Sequence, residues 1–196
     1  MMDIYINNKK RDLGIKNGKL TTVLEKIQKI LQAESKIITE LSINGNIVKE
    51  EEIPFLKKIQ LIEIKSKTNR EVIIESLYYF DRYVQDFFEM LESVEDEIEG
   101  FRIYDAVAFV EWSLGLVLSI KDHTNISLIY SDYDSYVEDY KNSAENFLEA
   151  FKKEDYENAV GILDMEIVDL IENFEVNSKD YLNEIILEES KKNFIN

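Results

Sequence analysis

Residues 58–72 read KIQLIEIKSKTNREV, and two periodicities meet inside them. Up to Lys65 apolar and polar residues alternate, the period of a half-buried strand. From Thr68 the pattern changes. Thr68 and Glu71 stand at the i, i+3 spacing of a capping box, in which each side chain serves the other residue's backbone N–H at a helix start. Beyond them Ile73, Leu77, Phe80, Val84, Phe87, Leu91, Val94 and Ile98 alternate spacings of 4 and 3. That stripe predicts one long helix to about Glu99, stopped by Gly100. A strand that hands over to a long helix within a few residues divides the chain into a β-containing domain, residues 1–67, and a helical remainder, residues 68–196.

Charge changes at the same place. Residues 1–67 hold 13 Lys/Arg against 9 Asp/Glu, a net +4, whereas residues 68–196 hold 10 against 31, a net −21, for −17 over the whole chain. A break of that size marks a domain boundary and bears on partners. An acidic helical domain repels phosphate, so no direct nucleic-acid binding by it is expected.

Upstream of the opening stretch, DIYINN (residues 3–8) and KRDLGIK (residues 10–16) flank Asn7-Asn8, residues that tolerate the positive φ of a tight hairpin. TTVLEKIQKILQAE (residues 21–34) sets Val23, Leu24, Ile27, Ile30 and Leu31 on one helical face, with Thr22 and Glu25 spaced as a capping box. A strand, KIITELSI, reaches the turn signal Asn44-Gly45, and NIV returns from it. The element order is ββαβ(β)β. GIKNGKLT (residues 14–21) superficially offers a phosphate-binding loop. A P-loop needs four residues between its glycines and a Gly-Lys-Ser/Thr run, so that backbone N–H groups wrap the phosphates. Here three residues separate Gly14 from Gly18, and Leu20 parts Lys19 from Thr21. The expectation is a turn at Asn17-Gly18 leading to a helix capped by Thr22.

This order resembles the ubiquitin-like β-grasp fold. LSINGNIVKEEEI is similar to that family's third strand, glycine turn and short returning strand, and IQLIEI to its closing strand. The resemblance implies a β-grasp (ββαββ) domain. Its modifier and sulfur-carrier members expose a C-terminal Gly-Gly; here the closing strand runs on into KSKTNREV, so the expectation is a binding module. A β-grasp start fused to an acidic helical tail also resembles a pattern of uncharacterised bacterial proteins, and the abundance of Ile, Asn, Lys, Tyr and Phe suggests an AT-rich bacterial genome.

The remainder predicts an all-α up-and-down bundle of about five helices, so the fold class is α+β. A second helix, residues 102–121, repeats the heptad at Ile103, Val107, Val110, Leu114 and Val117. Ala106, Phe109, Trp112 and Leu116 add another apolar face, which predicts a central helix. Its segment IYDAVAFVEWSLGLVLSI carries Asp105 and Glu111, which argue for a buried soluble helix and against a membrane span. A third helix, residues 132–153, carries Tyr133, Val137, Tyr140, Ala144, Phe147 and Phe151. A fourth, about 155–174, carries Tyr156, Val160, Leu163, Ile167, Leu170 and Phe174, and a last one starts at Ser178. By length the first helix outreaches the second, so the chain is expected as a monomer with docked domains or a homodimer.

Composition narrows the chemistry. There is no cysteine and one histidine, His123, so thiolate catalysis and cysteine-ligated metals are excluded. No acidic residue stands on the heptad lines given above, as a bundle di-iron site would need. Ser113-Leu-Gly115 is half of a nucleophile elbow and lies mid-helix. No catalytic residue, cofactor or metal is expected. Two features remain. Glu95, Asp96, Glu97 and Glu99 crowd a helix C-terminus, where negative charge opposes the macrodipole, and an up-and-down path brings them beside Glu154, Asp155 and Glu157. That acidic patch is either solvated surface or a docking site for a basic protein partner or divalent cations. Among Tyr130, Tyr133, Tyr136 and Tyr140, spacing assigns Tyr133 and Tyr140 to the core and leaves Tyr136 outward, so the set is either core or an interface stripe with Tyr136 as its interface residue. The expected function is that of a non-enzymatic cytoplasmic interaction or adaptor protein, the alternative an acidic nucleic-acid mimic that inhibits a DNA- or RNA-binding protein.

Overall fold

The structure is a computed structural model and describes residues 2–14, 20–56, 58–92 and 101–195. The chain divides into two compact units, Met1–Val72 and Ile73–Asn196.

The first unit is a five-stranded mixed sheet with one long helix. In chain order it holds β1 (Asp3–Ile6), β2 (Lys9–Lys10), α1 (Leu20–Ala33), β3 (Lys36–Ile43), β4 (Asn46–Ile47), a short 3-10 turn (Glu50–Phe55) and β5 (Leu61–Thr68). The strands lie in the order β2-β1-β5-β3-β4. β1 and β5 run parallel at the centre, and every other pair is antiparallel. Ile4, Ile6, Ile62 and Ile64 form one core with Val23, Ile27 and Leu31 of α1. Thr39 is skipped in the β3–β5 register, a local bulge between Ile38 and Glu40.

Both hairpins turn on the expected residues. Asn7 and Asn8 have φ of 48° and 64°, and Asn44 and Gly45 have 53° and 83°, the paired positive values of type I′ turns. The asparagines also act at a distance. The Asn7 amide donates to Ser66 O at 3.0 Å and accepts from Ser66 N–H at 2.8 Å, so a side chain extends the β1–β5 ladder one rung past β1. Asn44 Oδ1 accepts from Gln60 N–H at 2.9 Å and Leu61 N–H at 3.1 Å, fixing the start of β5.

One expectation fails here. Helix α1 already includes Leu20, so Thr22 lies inside it and does not cap it. Leu20 packs on the sheet core, and with Val23, Ile27 and Leu31 it completes an i, i+3, i+7, i+11 stripe that lengthens the helix upstream. The Asn17-Gly18 turn lies outside the described residues. The strand ahead of α1, β2, is an antiparallel edge strand, unlike the parallel strand that feeds a P-loop.

At the opposite end the capping box forms. Thr68 N–H donates to Glu71 Oε2 at 2.7 Å, and Glu71 N–H donates to Thr68 Oγ1 at 3.1 Å.

The rest of the described chain is helical: α2 (Asn69–Tyr78), α3 (Phe80–Glu92), α4 (Phe101–His123), α5 (Ile126–Ile129), α6 (Tyr133–Lys152), α7 (Tyr156–Ile162) and α8 (Val168–Ile195). Among the described residues these are seven helices against about five expected, for four reasons, one of them the π segment that parts α7 from α8. The long first helix is interrupted at Tyr79, although hydrogen bonds bridge the break and Ile73, Leu77, Phe80, Val84 and Phe87 are buried across it. The loop after α4 contains the single turn α5. The fourth and fifth expected helices merge, because α8 runs through Ser178 without a stop. Asn177 Nδ2 donates to Asn173 O at 2.8 Å and Ser178 Oγ to Glu175 O at 2.8 Å; both side chains bond backwards within the helix and do not cap a new one. Val94, Ile98 and the Gly100 stop lie outside the described residues.

Between α7 and α8 the helix widens into a π segment, Leu163–Ile167, in which Val168 N–H bonds to Leu163 O. The buried line there is Ala159, Leu163, Ile167, Ile171 and Phe174, while Tyr156 and Val160 are exposed at 40% and 43%. Of the expected line, Leu163, Ile167 and Phe174 are buried, while Leu170 is half-buried and Ile171 takes its place. In α4 the buried line is Ala106, Val110, Ser113, Val117 and Ile120, with Ile103, Val107 and Leu114 only half-buried. This helix is therefore less enclosed than expected. Its segment Ile103–His123 is long and apolar enough to cross a membrane, and a third of that window, 33%, is buried.

Candidate functional site

Helices α6 and α8 pack their apolar stripes inward and leave a groove between their polar flanks. On α6 the heptad reading holds as far as Phe147: Tyr133, Val137, Tyr140, Ala144 and Phe147 are buried, while Phe151 is half-buried. One step round the helix, Asp132, Tyr136 and Asp139 face the groove, and α8 answers with Asp169, Asn173, Asn177 and Tyr181 at every fourth residue. Residues four apart share a helix face. The groove has a volume of about 720 Å³ and its other lining comes from the α5–α6 turn, Ile129 to Ser131.

Its floor is aromatic. Tyr181 meets Tyr130 edge-on at 5.0 Å and Tyr133 edge-on at 5.3 Å, and Tyr136 stacks on Phe174 at 6.0 Å. The hydroxyls of Tyr133 and Tyr136 donate to the carbonyls of Val117 and Leu170, each at 3.0 Å. Tyr140 lies one turn deeper, with its hydroxyl 2.6 Å from Ser113 Oγ. Burial holds the hydroxyls of Tyr133, Tyr136 and Tyr140 far above the usual tyrosine range. Burial, with Tyr130, Asp180 and Asp132 nearby, pushes Tyr181 up to about 12. All four are neutral at physiological pH.

The rim is acidic. Asp139 and Asp169 are exposed and form no ion pair or hydrogen bond among the described residues. Past the groove, Ser143 Oγ donates to Glu166 Oε2 of the π segment at 2.7 Å. Among the described residues no group of three or more His, Cys, Asp or Glu is placed to hold a metal ion.

Of the acidic patch read from the sequence, Glu95, Asp96, Glu97 and Glu99 lie outside the described residues. Glu154 adopts a φ of 60° in the α6–α7 turn. Asp155 is the N-cap of α7, accepting from Asn158 N–H at 3.4 Å, and Glu157 is in its first turn. Both sit where the helix dipole favours negative charge. Lys153 beside them pairs with Glu149 at 2.7 Å. Tyr136, expected outward, is half-buried with its hydroxyl tied to α8, and it lines the groove.

With the geometry in place, comparison with known proteins adds one point. Residues 2–68 match the family model of the TP0873 N-terminal domain. That match, about a third of the chain, ends on the last residue of β5. No curated protein and no solved structure matches the chain. The α6–α8 groove lies wholly beyond the matched segment.

Sequence reasoning missed Asp139, Asp169, Asn173 and Tyr181. A signal existed: Asp132 and Asp139 are one heptad apart, and Asp169, Asn173, Asn177 and Tyr181 form an unbroken i, i+4 polar line beside an apolar stripe.

Proposed function

We propose that the chain is a non-catalytic, cytoplasmic interaction protein whose acidic helical unit docks a protein partner with a basic surface. The observation that carries this reading is the excess of 31 Asp/Glu over 10 Lys/Arg in residues 68–196. A field of one sign steers an oppositely charged partner and speeds encounter. The N-terminal unit is read as a ubiquitin-like β-grasp module and a second binding surface. The strand order β2-β1-β5-β3-β4, with its central parallel pair and one helix across the sheet, supports that.

Capture tests the reading. The full chain is immobilised, exposed to host lysate at low and high salt, and the retained proteins are identified by mass spectrometry. A basic protein retained at low salt and released at high salt is expected, because exposed charge contacts are screened. Retention of nothing specific, or of a partner indifferent to salt, overturns it. A second reading, mimicry of a nucleic acid, is favoured by the same carboxylate excess. It requires that the captured protein bind DNA or RNA and that this nucleic acid compete it off.

A further inference from the structure

The α6–α8 groove carries three independent marks of one ligand chemistry. The first is aromatic: Tyr130, Tyr133, Tyr136 and Tyr181 all line it, and aromatic ring faces attract a cation within about 6 Å. The second is charge. Asp132, Asp139 and Asp169 stand round the opening, Asp139 and Asp169 have no partner among the described residues, and no Lys or Arg is among the lining residues. The third is an unused hydroxyl. Tyr181 is only 7% exposed and lines the groove, yet its hydroxyl, unlike those of Tyr133, Tyr136 and Tyr140, has no hydrogen-bond partner among the described residues.

We propose that this groove receives the cationic side chain, lysine or arginine, of a basic polypeptide segment. The proposal rests on reading the helical unit as a binding module for a basic partner and names the place of contact. The ammonium or guanidinium group sits over the tyrosine floor, between Asp139 and Asp169, and donates to the Tyr181 hydroxyl. At about 720 Å³ the groove is within the usual size of ligand sites and larger than one side chain. The flanking backbone of the segment therefore fits beside it, where the amides of Asn173 and Asn177 meet its peptide groups. An anionic ligand is repelled by the same three carboxylates. A bare metal ion lacks a gathered ligand set here.

The test uses the full chain and a nine-residue Gly/Ser peptide carrying one central arginine, followed by NMR. Its control replaces the arginine by citrulline, which keeps the shape and removes the charge. Expected are shifts of the Asn173 and Asn177 side-chain amide signals with the arginine peptide and none with citrulline. The doubly substituted Asp139→Asn, Asp169→Asn chain, altered only at exposed positions, binds about tenfold more weakly, the combined worth of two partly screened charge contacts. Tyr181→Phe weakens binding further, and Glu154→Gln with Glu157→Gln leaves it unchanged. Binding that survives the aspartate substitutions, or that falls equally with the glutamate ones, overturns the groove while leaving the acidic binding module intact. No binding of the arginine peptide overturns the groove, and shifts produced by spermidine alone would assign it to free polyamines and remove the protein partner.

Discussion

At the centre of the helical unit, Ser113 of α4 and Tyr140 of α6 form a buried pair whose two halves are unequal. Ser113 Oγ donates to Phe109 O at 2.7 Å, which uses its one proton, so the Tyr140 hydroxyl 2.6 Å away is the donor to Ser113. Tyr140→Phe removes a donor and leaves Ser113 still bonded to the backbone. The loss is that of one net hydrogen bond, about 0.5–1.5 kcal/mol. Ser113→Ala removes the acceptor and strands a hydroxyl on a residue 1% exposed, which costs about 1–3 kcal/mol. The serine, the smaller deletion, is therefore the more damaging. The order also reverses with background: once Ser113 is alanine, Tyr140→Phe removes the stranded hydroxyl and restores stability. Urea unfolding followed by tryptophan fluorescence measures this cleanly, since the single tryptophan, Trp112, packs against Phe80, Tyr83 and Phe109 of the same unit. Two results refute the reasoning. One is Tyr140→Phe costing more than Ser113→Ala; the other is a double variant whose loss equals the two single losses added together.

Three further outcomes follow from other parts of the fold. Asn7→Gly keeps the positive φ but deletes the side-chain rung to Ser66, and should lower stability of the N-terminal unit by about 1–3 kcal/mol, with Ser66 N–H becoming fast in hydrogen exchange; unchanged exchange there would contradict it. Thr68→Ala removes one half of the capping box and should cost about 1 kcal/mol, with the loss of protection in amide exchange confined to the first turn of α2. Alkaline pH should unfold the helical unit: Tyr133, Tyr136, Tyr140 and Tyr181 all have raised values in the fold, against about 10 in an unfolded chain. The unfolded chain then binds fewer protons above that pH, so the stability they contribute is present below about 10 and lost as pH rises towards 12. Tyrosinate absorbance should show a late phase that coincides with loss of helical circular dichroism, and a single step near 10 with the helices intact would oppose it.

The N-terminal unit was legible because its signals are local. Asn7-Asn8 and Asn44-Gly45 can be read as hairpins from two residues each, and Thr68 with Glu71 from a four-residue window. What their side chains do over longer range was not legible: Asn7 reaches Ser66, 59 residues away in sequence. Long helices were readable where spacing is regular, as in α6, and misread where it slips. In α4 a choice between two apolar faces had to be made, and the true buried line passes through Ser113, a polar residue that an apolar count skips. The groove escaped notice because it is made of residues flanking two stripes on separate helices, its rim residues Asp139 and Asp169 lying 30 positions apart in sequence. Each flank reads as ordinary solvated surface until the helices are brought together.

The π segment between α7 and α8 has a consequence for register. From Ala159 the buried positions step by 4, 4, 4, 3, 4, 3 and 4 through Leu163, Ile167, Ile171, Phe174, Ser178, Tyr181 and Ile185. Strike out one residue between Leu163 and Ile167 and the steps become 4, 3, 4, 3, 4, 3 and 4, an unbroken heptad. The widened turn thus takes up one residue beyond the heptad, so that everything downstream keeps its facing. Met165, 78% exposed, is the residue the helix could spare. A variant with Met165 deleted is therefore expected to bury the same face of α8 and to present the same polar line to α6.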